Sequence, residues 1–437
     1  MSGSVVSCLE CDSMEKRNNL ENSGMDNNPE NGGADGHSGR EPGNGSSGVT
    51  GNPKIRLSVV FGGQSSEHEI SCISAASVLQ NIDREKYEVR MMGITRQGEW
   101  LPYQGAVSRI ANGEWEAEAR EARRRIQSAR HTAMLPAEGT SSCLQLLTRN
   151  VDGSDTDAVD VVFPVLHGPN GEDGTIQGLF QLAGVPFVGC GLLASAAGMD
   201  KAFSKIVFAS AGIPQARFLT VRRSEIRGSL PVLQARVGDA LGYPCFVKPA
   251  NAGSSVGISK VKTPEALGAA LEKAARYDSK ILVEEFIDGR EVECAILGNE
   301  EPEASVVGEI LPCNEFYDYE AKYLDDRSQT IIPADLPEDV TETVRRLAVR
   351  AFQALGASGL SRVDFFVERG TDRVVLNEIN TIPGFTSISM YAKLWAASGV
   401  PYPELVDRLI MLALRRHEET AISFDRDGGR ETTCSQT

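Results

Sequence analysis

The sequence predicts an α/β protein with α+β character in its C-terminal half. Short apolar runs rich in β-branched residues alternate with longer amphipathic segments, which is typical of strands alternating with helices. Glycines follow several of the apolar runs and indicate turns at the strand ends. Of the 437 residues, 41% are hydrophobic, so the chain can bury a sizeable core and form two or three packed domains.

The first folded segment is predicted to contain a parallel sheet. An apolar run at 55–61 enters the turn Gly62-Gly63, and a helix is expected at 70–79. Because strands and helices alternate from here, the pattern indicates βαβ units. Further strands are predicted at 159–166 and 185–189, with one helix and a variable loop between 104 and 153.

The later part of the chain mixes strands with fewer helices. One helix stands out because its apolar residues recur at helical spacing, at Val340, Val344, Leu347, Ala351, Phe352 and Leu355. Another helix should open at Thr263, with the threonine as its cap and proline in its first turn. The remaining predictions are a helix at 199–211 and strands at 245–248, 257–261, 281–285, 361–367 and 374–380.

Composition suggests how the chain is divided. Residues 1–53 are rich in Gly, Asn, Ser and acids, and such a segment buries too little apolar surface to offset its ordering entropy, so we expect a disordered leader. The expected domains are 54–190, which is substrate-binding, 191–288, and 289–414. A polar tail is expected at 415–437.

The charge and the apolar pattern exclude several classes of protein. A formal net charge of −16 argues against nucleic-acid binding, which needs clustered Lys and Arg. No apolar run approaches the ~20 residues of a membrane helix, and no signal peptide is recognisable. The nine cysteines are mostly single and lie in apolar strings, as reduced thiols in a cytoplasmic protein do. A cytoplasmic protein is therefore expected, and its acidic charge does not exclude a polyanionic small ligand in a locally basic pocket.

Two predicted strands near the C-terminus carry the strongest candidate site. Arg362 and Asp364 are two residues apart and share a strand face, and so do Glu378 and Asn380. A hairpin would bring two carboxylates and an amide oxygen together, which suits Mg²⁺. The alternative is an ordinary salt bridge between Arg362 and one of the acids.

A second candidate site is the small-residue turn after Lys248. Gly253, Ser254 and Ser255 allow backbone N–H groups to close around phosphate oxygens, beside the lysine charge. The alternative is a plain β-hairpin with an exposed lysine. The acids Glu284 and Glu285 at the end of another strand could bond an adenine amino group and ribose hydroxyls, or they could be ordinary surface residues.

A third candidate site follows the first predicted strand. Glu67, at a helix start, could hold a substrate ammonium or could simply be stabilised by the helix dipole. His167 ends another buried strand and could reach the same crevice, because ligands bind at the carboxyl ends of parallel strands. The alternative for His167 is a core or turn residue.

Taken together, these segments resemble the D-alanine–D-alanine ligases of the ATP-grasp superfamily. The resemblance runs from about residue 55 to about residue 412. It implies three domains, an N-terminal parallel-sheet domain and two antiparallel-sheet subdomains that clasp ATP. The matching segments are 61–71 (FGGQSSEHEIS), 166–174 (LHGPNGEDG), 199–201 (MDK), 248–256 (KPANAGSSV), 315–323 (EFYDYEAKY) and 378–389 (EINTIPGFTSIS).

The resemblance also implies where the nucleotide and metal bind. The phosphates would meet Lys201 and Lys248 together with Ser255, and two Mg²⁺ or Mn²⁺ ions would lie on the hairpin acids. A lid at 317–327 would close over the site and exclude water. The implied metal ligands are Asp364, Glu378 and Asn380, and the implied nucleotide-binding residues in the strand-end segment are Glu284, Glu285, Phe286, Ile287 and Glu291.

The resemblance assigns the substrate residues as well. Arg362 and the N–H of Gly384 would stabilise the tetrahedral oxyanion. Glu67, linked with Ser254 and Tyr323, would orient the first D-alanine. The second D-alanine would be bound by its carboxylate at Lys322 and Ser389, with His167 nearby.

The implied reaction converts ATP and two D-alanines into D-alanyl-D-alanine, ADP and phosphate for peptidoglycan synthesis. Tyr323 favours an amine as the second substrate, whereas related lactate ligases typically differ at this position. The alternatives are a D-alanine–D-lactate or D-alanine–D-serine ligase, or a nucleotide-binding regulator without activity. A homodimer is expected from the family.

Overall fold

The structure is a computed structural model, and it describes residues 53–132, 159–253, 255–311, 329–386 and 388–428. Within helices, the side chains of 126–132 and 421–428 are not described. The predicted leader, the end of the variable loop and the predicted lid therefore lie outside the described residues.

The described chain alternates strands and helices. The strands are β1 (Ile55–Gly62), β2 (Tyr87–Ile94), β3 (Trp100–Tyr103), β4 (Val161–Val165), β5 (Phe218–Arg222), β6 (Cys245–Pro249), β7 (Ser259–Val261), β8 (Lys280–Glu285), β9 (Gly289–Gly298), β10 (Glu303–Leu311), β11 (Gln329–Ile331), β12 (Gly359–Glu368) and β13 (Val374–Asn380). The α-helices are α1 (His68–Asn81), α2 (Val107–Ala111), α3 (Trp115–Thr132), α4 (Thr175–Leu182), α5 (Leu192–Met199), α6 (Lys201–Ser210), α7 (Arg223–Ile226), α8 (Leu230–Ala240), α9 (Leu267–Ala274), α10 (Glu338–Ala354), α11 (Met390–Ala397) and α12 (Tyr402–Gly428).

The N-terminal sheet has the order β3-β2-β1-β4, with β1 parallel to both β2 and β4. The parallel arrangement predicted from the sequence is confirmed. The strand expected at 185–189 is reduced to one bridge between Val162 and Phe187. Pro186 has no N–H to donate, and Gly189 turns the chain at a φ of +99°, so the pairing cannot continue.

The central sheet has the order β5-β8-β6-β7 and is antiparallel throughout. The strands predicted at 245–248 and 281–285 are confirmed as β6 and β8. Thr263 makes no side-chain cap, and a 3-10 turn at Pro264–Ala266 precedes α9 instead. The strands β6 and β7 pair antiparallel, as a hairpin would require.

The C-terminal sheet has the order β11-β10-β9-β12-β13 and is also antiparallel. The apolar stripe predicted for α10 is confirmed, because all its apolar residues are buried. In the register of the sheet, Asp364 lies opposite Glu378 on one side and Glu293 on the other, and Arg362 lies opposite Asn380. The predicted hairpin thus forms, with the four polar residues on neighbouring strands.

The helix predicted at 199–211 is confirmed as α6, whereas α5 lies before it, in the segment where only a domain boundary is expected from the sequence. Asp200 lies between them in an extended conformation, and its carboxylate accepts hydrogen bonds from the N–H groups of Ala202 and Phe203. This cap starts a new helix with Lys201 as its first residue.

The C-terminal helix α12 continues to Gly428, beyond the start of the predicted polar tail at 415. Arg416 on this helix donates to the carbonyl oxygen of Phe187 over 2.8 Å and lies 4.7 Å from the centre of the Phe187 ring. It also bonds Ser358 and the carbonyl of Gly189. These tertiary contacts join the helix to the N-terminal and C-terminal sheets, and residue polarity alone does not encode them.

Two sequence expectations about the environment can be compared with the described residues. Within those ranges, none of the helices combines the length and hydrophobicity that crossing a bilayer requires. Four cysteines in the described part, Cys72, Cys190, Cys245 and Cys294, are buried free thiols.

Candidate active site

Two adjoining cavities lie where the three sheets meet. The larger, of about 340 Å³, lies beside the loops that follow β1, β4 and β13. The smaller, of about 120 Å³, lies between the central and C-terminal sheets. Lys201, Ser255, Glu293 and Glu378 line both. The predicted site residues that line the larger cavity are Glu67, His167, Lys201, Ser255, Arg362, Glu378, Asn380, Gly384 and Ser389. Those lining the smaller one are Lys201, Lys248, Ser255, Glu284, Glu285, Glu291, Asp364 and Glu378.

Some predicted residues do not line these cavities or are engaged in other contacts. Phe286 is covered by Lys260, whose Nζ lies 4.1 Å from the ring centre. Ile287 is buried and packs with Ala216 and Val375. Glu285 lines the smaller cavity, but its carboxylate accepts a 2.6 Å hydrogen bond from Arg217. The predicted residues Ser254, Lys322 and Tyr323 lie outside the described residues.

Arg362 is held between two acids on the C-terminal sheet. Its Nε and Nη2 donate to Asp364 over 2.7 and 2.8 Å, and its Nε lies 2.9 Å from Glu293. Burial opposes the guanidinium charge, but Asp364 and Glu293 outweigh it and raise the pKa of Arg362. The arginine therefore stays charged and fixed in orientation at the cavity wall.

The hairpin donors fit a hard divalent cation. Asp364 and Glu378 supply two facing carboxylates, and the Asn380 amide lies 3.0 Å from Asp364. Among the described residues, no group of three or more His, Cys, Asp or Glu is placed to hold a metal ion, and a cation at the hairpin would therefore have few protein ligands. Mg²⁺ binds in this way and completes its octahedron with water and phosphate oxygens.

Lys201 connects the acids of the β12–β13 hairpin to the small-residue turn after β6. Its Nζ lies 3.3 Å from the Glu378 carboxylate and donates to the carbonyl oxygen of Ala252 over 2.9 Å. The Asp200 cap fixes the first turn of α6, so the position of Lys201 follows from its place in the helix. The ammonium group of Lys201 can therefore contact phosphate oxygens that enter either cavity.

A buried carboxylate holds two lysines at the smaller cavity. Glu284 lies 2.7 Å from Nζ of Lys205 and also forms an ion pair with Lys248. Burial opposes its ionisation, but the two lysines together lower the pKa of Glu284. Burial in turn lowers the pKa of Lys205. Lys248 lines the cavity, whereas Lys205 lies behind it.

Glu67 is packed between two glycines from distant parts of the chain. A Cβ on Gly253 would come within 2.7 Å of Oε2 of Glu67, and one on Gly168 would also collide with this carboxylate. Gly168 additionally has a φ of +75°, which side chains rarely tolerate. The buried carboxylate therefore reaches the β6–β7 turn only because both positions lack a side chain.

His167 and Glu172 complete this end of the larger cavity. Nε2 of His167 lies 3.0 Å from Oγ of Ser74, and burial lowers the pKa of His167 to about 4. Glu172 accepts a 2.8 Å hydrogen bond from the N–H of Gly168. Removal from solvent, followed by the nearby charge of Glu67, raises the pKa of Glu172 well above its ordinary value. Glu172 therefore holds a proton more tightly than an ordinary carboxyl group.

The lowered pKa of His167 predicts a pH dependence of stability. A histidine whose folded pKa lies below its unfolded pKa stabilises the fold fully above the unfolded value and loses that contribution as pH falls. From a folded pKa of about 4, the loss should total ~3 kcal/mol between pH 6.5 and pH 4. Urea unfolding across this pH range gives the free energy of unfolding of the parent chain and of His167→Gln, and the loss is the change in the difference between them. His417→Gln serves as a matched control, and equal slopes for parent and His167→Gln would contradict the assignment.

The loop after β13 also lines the larger cavity. Oγ of Ser389 accepts a 3.0 Å hydrogen bond from the N–H of Thr386 and lies 2.7 Å from its hydroxyl. A Cβ on Gly384 would come within 2.9 Å of this Oγ, so glycine is needed for the close approach. The backbone of Gly384 therefore lines the same cavity as Arg362, with no side chain of its own in the way.

The sequence analysis missed several residues of the site. Glu172 lies within a segment that had been singled out, but it received no role. Lys205 lies four residues after Lys201, on the same helix, and this spacing was the only sequence feature that indicated a place near the site. Glu293 lies two residues after Glu291 on β9 and hence on the same face. Lys393, one turn into α11, also lines the larger cavity.

The comparisons with known proteins agree with this arrangement. Residues 56–190 match the family model for the D-ala D-ala ligase N-terminus, and 207–411 match the D-ala D-ala ligase C-terminus. The chain is 54% identical to the D-alanine–D-alanine ligase of Ruminiclostridium cellulolyticum over 371 residues, which cover 84% of this chain and 97% of the relative. It is 54% identical to that of Acetivibrio thermocellus over 375 residues, which cover 85% and 99%.

Solved structures give the same result. The VanG D-Ala:D-Ser ligase from Enterococcus faecalis has a TM-score of 0.70 and 37% identity, covering 83% of this chain and all of that one. The D-alanine–D-alanine ligase from Coxiella burnetii has a TM-score of 0.69 and 36% identity, covering 85% and 97%. With both family models matched and the three-sheet architecture in common, the chain belongs to the D-alanine–D-alanine ligase family.

Proposed function

We propose that this chain joins two D-alanines into D-alanyl-D-alanine, with ATP converted to ADP and phosphate, for peptidoglycan precursor synthesis. The observation that carries the proposal is the larger cavity, because residues suited to the substrate and to phosphate line it together. Three residues of different function line it. Glu67 is suited to bind an ammonium group, Arg362 is oriented to stabilise an oxyanion, and Lys201 is suited to bind phosphate. Relatives that are 54% identical have this activity in their names.

The first step is a phosphoryl transfer. A carboxylate oxygen of the first D-alanine attacks the γ-phosphorus of ATP, the bond to the bridging oxygen breaks, and ADP and D-alanyl phosphate form. Lys201, Lys248 and Ser255 would bind the phosphates, and Glu67 would orient the substrate ammonium. Positioning and charge stabilisation supply most of the catalysis in such transfers.

The second step is an acyl transfer. The amine of the second D-alanine loses a proton and attacks the carbonyl carbon of D-alanyl phosphate. Arg362 and the N–H of Gly384 would stabilise the oxyanion, and inorganic phosphate then leaves as the peptide bond forms. In its ionised form Glu172, which lines the same cavity, would accept the amine proton.

The nucleotide would lie between the central and C-terminal sheets. Glu284, Glu285, Phe286 and Ile287 would meet adenine, with Phe286 and Ile287 contributing backbone groups, and Glu291 would meet the ribose. Two Mg²⁺ or Mn²⁺ ions held by Asp364, Glu378 and Asn380 would, when bound, offset the charge of the phosphoryl oxygens.

Two of the remaining substrate contacts, Lys322 and Tyr323, belong to the segment we propose as a lid, 317–327. Tyr323 and Ser254 would join Glu67 at the first D-alanine, while Lys322 and Ser389 would bind the carboxylate of the second, near His167. Closure would exclude water from the acyl phosphate, which hydrolyses readily. Tyr323 supports an amine as acceptor.

The expected domain limits, 54–190, 191–288 and 289–414, are proposed on the ground that each sheet falls within one of them. A homodimer is proposed as well. The apolar side chains of Leu182 and Leu193 are 84% and 72% exposed and line one surface groove, which a second copy could cover. Light scattering of the purified chain tests this, and a monomer mass at micromolar concentration would contradict it.

A direct assay tests the reaction. Purified chain with ATP, Mg²⁺ and D-alanine should form the dipeptide and release one phosphate per peptide bond, whereas L-alanine should give none. D-serine and D-lactate are offered in parallel, because a relative of similar fold is a D-Ala:D-Ser ligase. Preference for either acceptor would change the substrate assignment, and absence of any D-alanine-dependent phosphate release would identify a non-catalytic nucleotide binder.

A further inference from the structure

Lys205 is a buried lysine for which the reaction described above has no use. It lies on α6 with 2% of its surface exposed, behind the wall of the smaller cavity. Its Nζ is 2.7 Å from one oxygen of Glu284, and Lys248 pairs with the other oxygen from the cavity side. One carboxylate thus joins a hidden lysine to a lysine in the nucleotide cavity.

The charges of this cluster do not cancel. Two ammonium groups and one carboxylate leave a net charge of about +1 when all three are ionised. Without Lys205, Glu284 and Lys248 would form a neutral pair, and such a pair attracts phosphate only weakly. Burying a charge so deeply is costly unless it is paired, which makes Lys205 an unusual residue to retain for packing alone.

Lys205 is also held firmly in place. Its carbonyl oxygen accepts a 2.7 Å hydrogen bond from Gln215, and its Nζ lies 5.6 Å from the centre of the Phe218 ring. Phe218 lies opposite Glu284 in the β5–β8 pairing. The lysine, its helix and the strand carrying Glu284 therefore form one rigid support.

We propose that Lys205 is a positioning residue for the nucleotide: it neutralises Glu284 from behind the cavity, so that the charge of Lys248 remains available to the phosphates of ATP. This inference rests on the proposed nucleotide site and deepens it. The effect of Lys205 should act through charge, and it should therefore depend on the phosphates of the ligand and require Glu284.

Calorimetric binding to the full chain tests this with ATP, ADP and adenosine as probes. Lys205→Met should weaken binding of ATP and ADP by about tenfold, while adenosine binding should change by less than about twofold. Lys205→Arg, which keeps the charge, should restore part of the ATP affinity. In a Glu284→Gln background, Lys205→Met should no longer change the ratio of ATP to adenosine affinity, because its partner is gone.

Controls separate this inference from loss of structure and from the proposed function. Arg56→Met removes a partly buried ion pair with Asp160 in the N-terminal sheet and should leave nucleotide binding unchanged. If Lys205→Met does not fold, Lys205→Gln takes its place. Parallel weakening of ATP and adenosine, or an unchanged ATP affinity, would overturn the role of Lys205 while leaving ligase activity of the parent chain intact. A parent chain that binds no adenine nucleotide would overturn both.

Discussion

Glu378→Gln should lower dipeptide turnover by roughly 1,000-fold, because a bound divalent cation supplies several kcal/mol of charge stabilisation and each ~1.4 kcal/mol is a factor of ten. Glutamine keeps the shape of the side chain but removes the charge that faces Asp364 in the β12–β13 pairing. It also removes the partner of Lys201, which lies 3.3 Å away. Raising the Mg²⁺ concentration should recover part of the activity.

The measurement is turnover against Mg²⁺ concentration. A control is Glu309→Gln in the same sheet, because Glu309 is also ion-paired, with Arg290, and is more buried than Glu378, but does not line either cavity among the described residues. This control should keep its turnover even if its melting temperature falls. Turnover near that of the parent chain, with an unchanged Mg²⁺ requirement, would remove Glu378 from the metal site.

Arg362→Lys should lower turnover by about 100- to 1,000-fold, the usual effect of removing one oxyanion donor. Lysine keeps the positive charge between Asp364 and Glu293, so the buried acids remain compensated and the fold should survive. It cannot reproduce the two hydrogen bonds of 2.7 and 2.8 Å to Asp364, because only the planar guanidinium provides that fork. The KM for ATP should change much less than turnover.

Arg290→Lys provides the comparison. Arg290 makes the same kind of two-pronged contact to Glu309 on the same sheet, away from the cavities. Any general cost of replacing a buried arginine fork should therefore appear in both variants, as a shift in melting temperature. A loss of turnover of equal size in the two would show that Arg362 has no special role in the reaction.

The sequence predicted much of the C-terminal site because that part is local. Arg362 and Asp364 share a strand face through the two-residue repeat of a strand, and Glu378 and Asn380 do so through the same rule. The chain between the two strands is short, so a hairpin was the natural pairing. The register that sets Asp364 against both Glu378 and Glu293 came from the sheet, since β9 lies far away in the sequence.

Predictions failed or fell short where a distant contact decides the outcome. The strand expected at 185–189 had the right apolar composition, but pairing ended at a single bridge beside Pro186. The helix expected at 199–211 formed as α6, but the preceding helix α5 was not predicted, and the start of α6 depends on the Asp200 cap, whose carboxylate also pairs with Lys280 from the central sheet.

The sequence by itself determined the strands β1, β4, β6 and β8, the hairpin acids and the family, because periodicity and short motifs act over a few residues, whereas β2, β3, β5, β9 and β10 were not predicted. Only the tertiary structure decided that Glu67 lies between Gly168 and Gly253, and that Lys205 and Lys248 share Glu284. These groups belong to separate elements, and their distances depend on how the sheets pack. Spacing along a chain carries no such information, since the ion pairs and close approaches form only after apolar burial has brought the elements together.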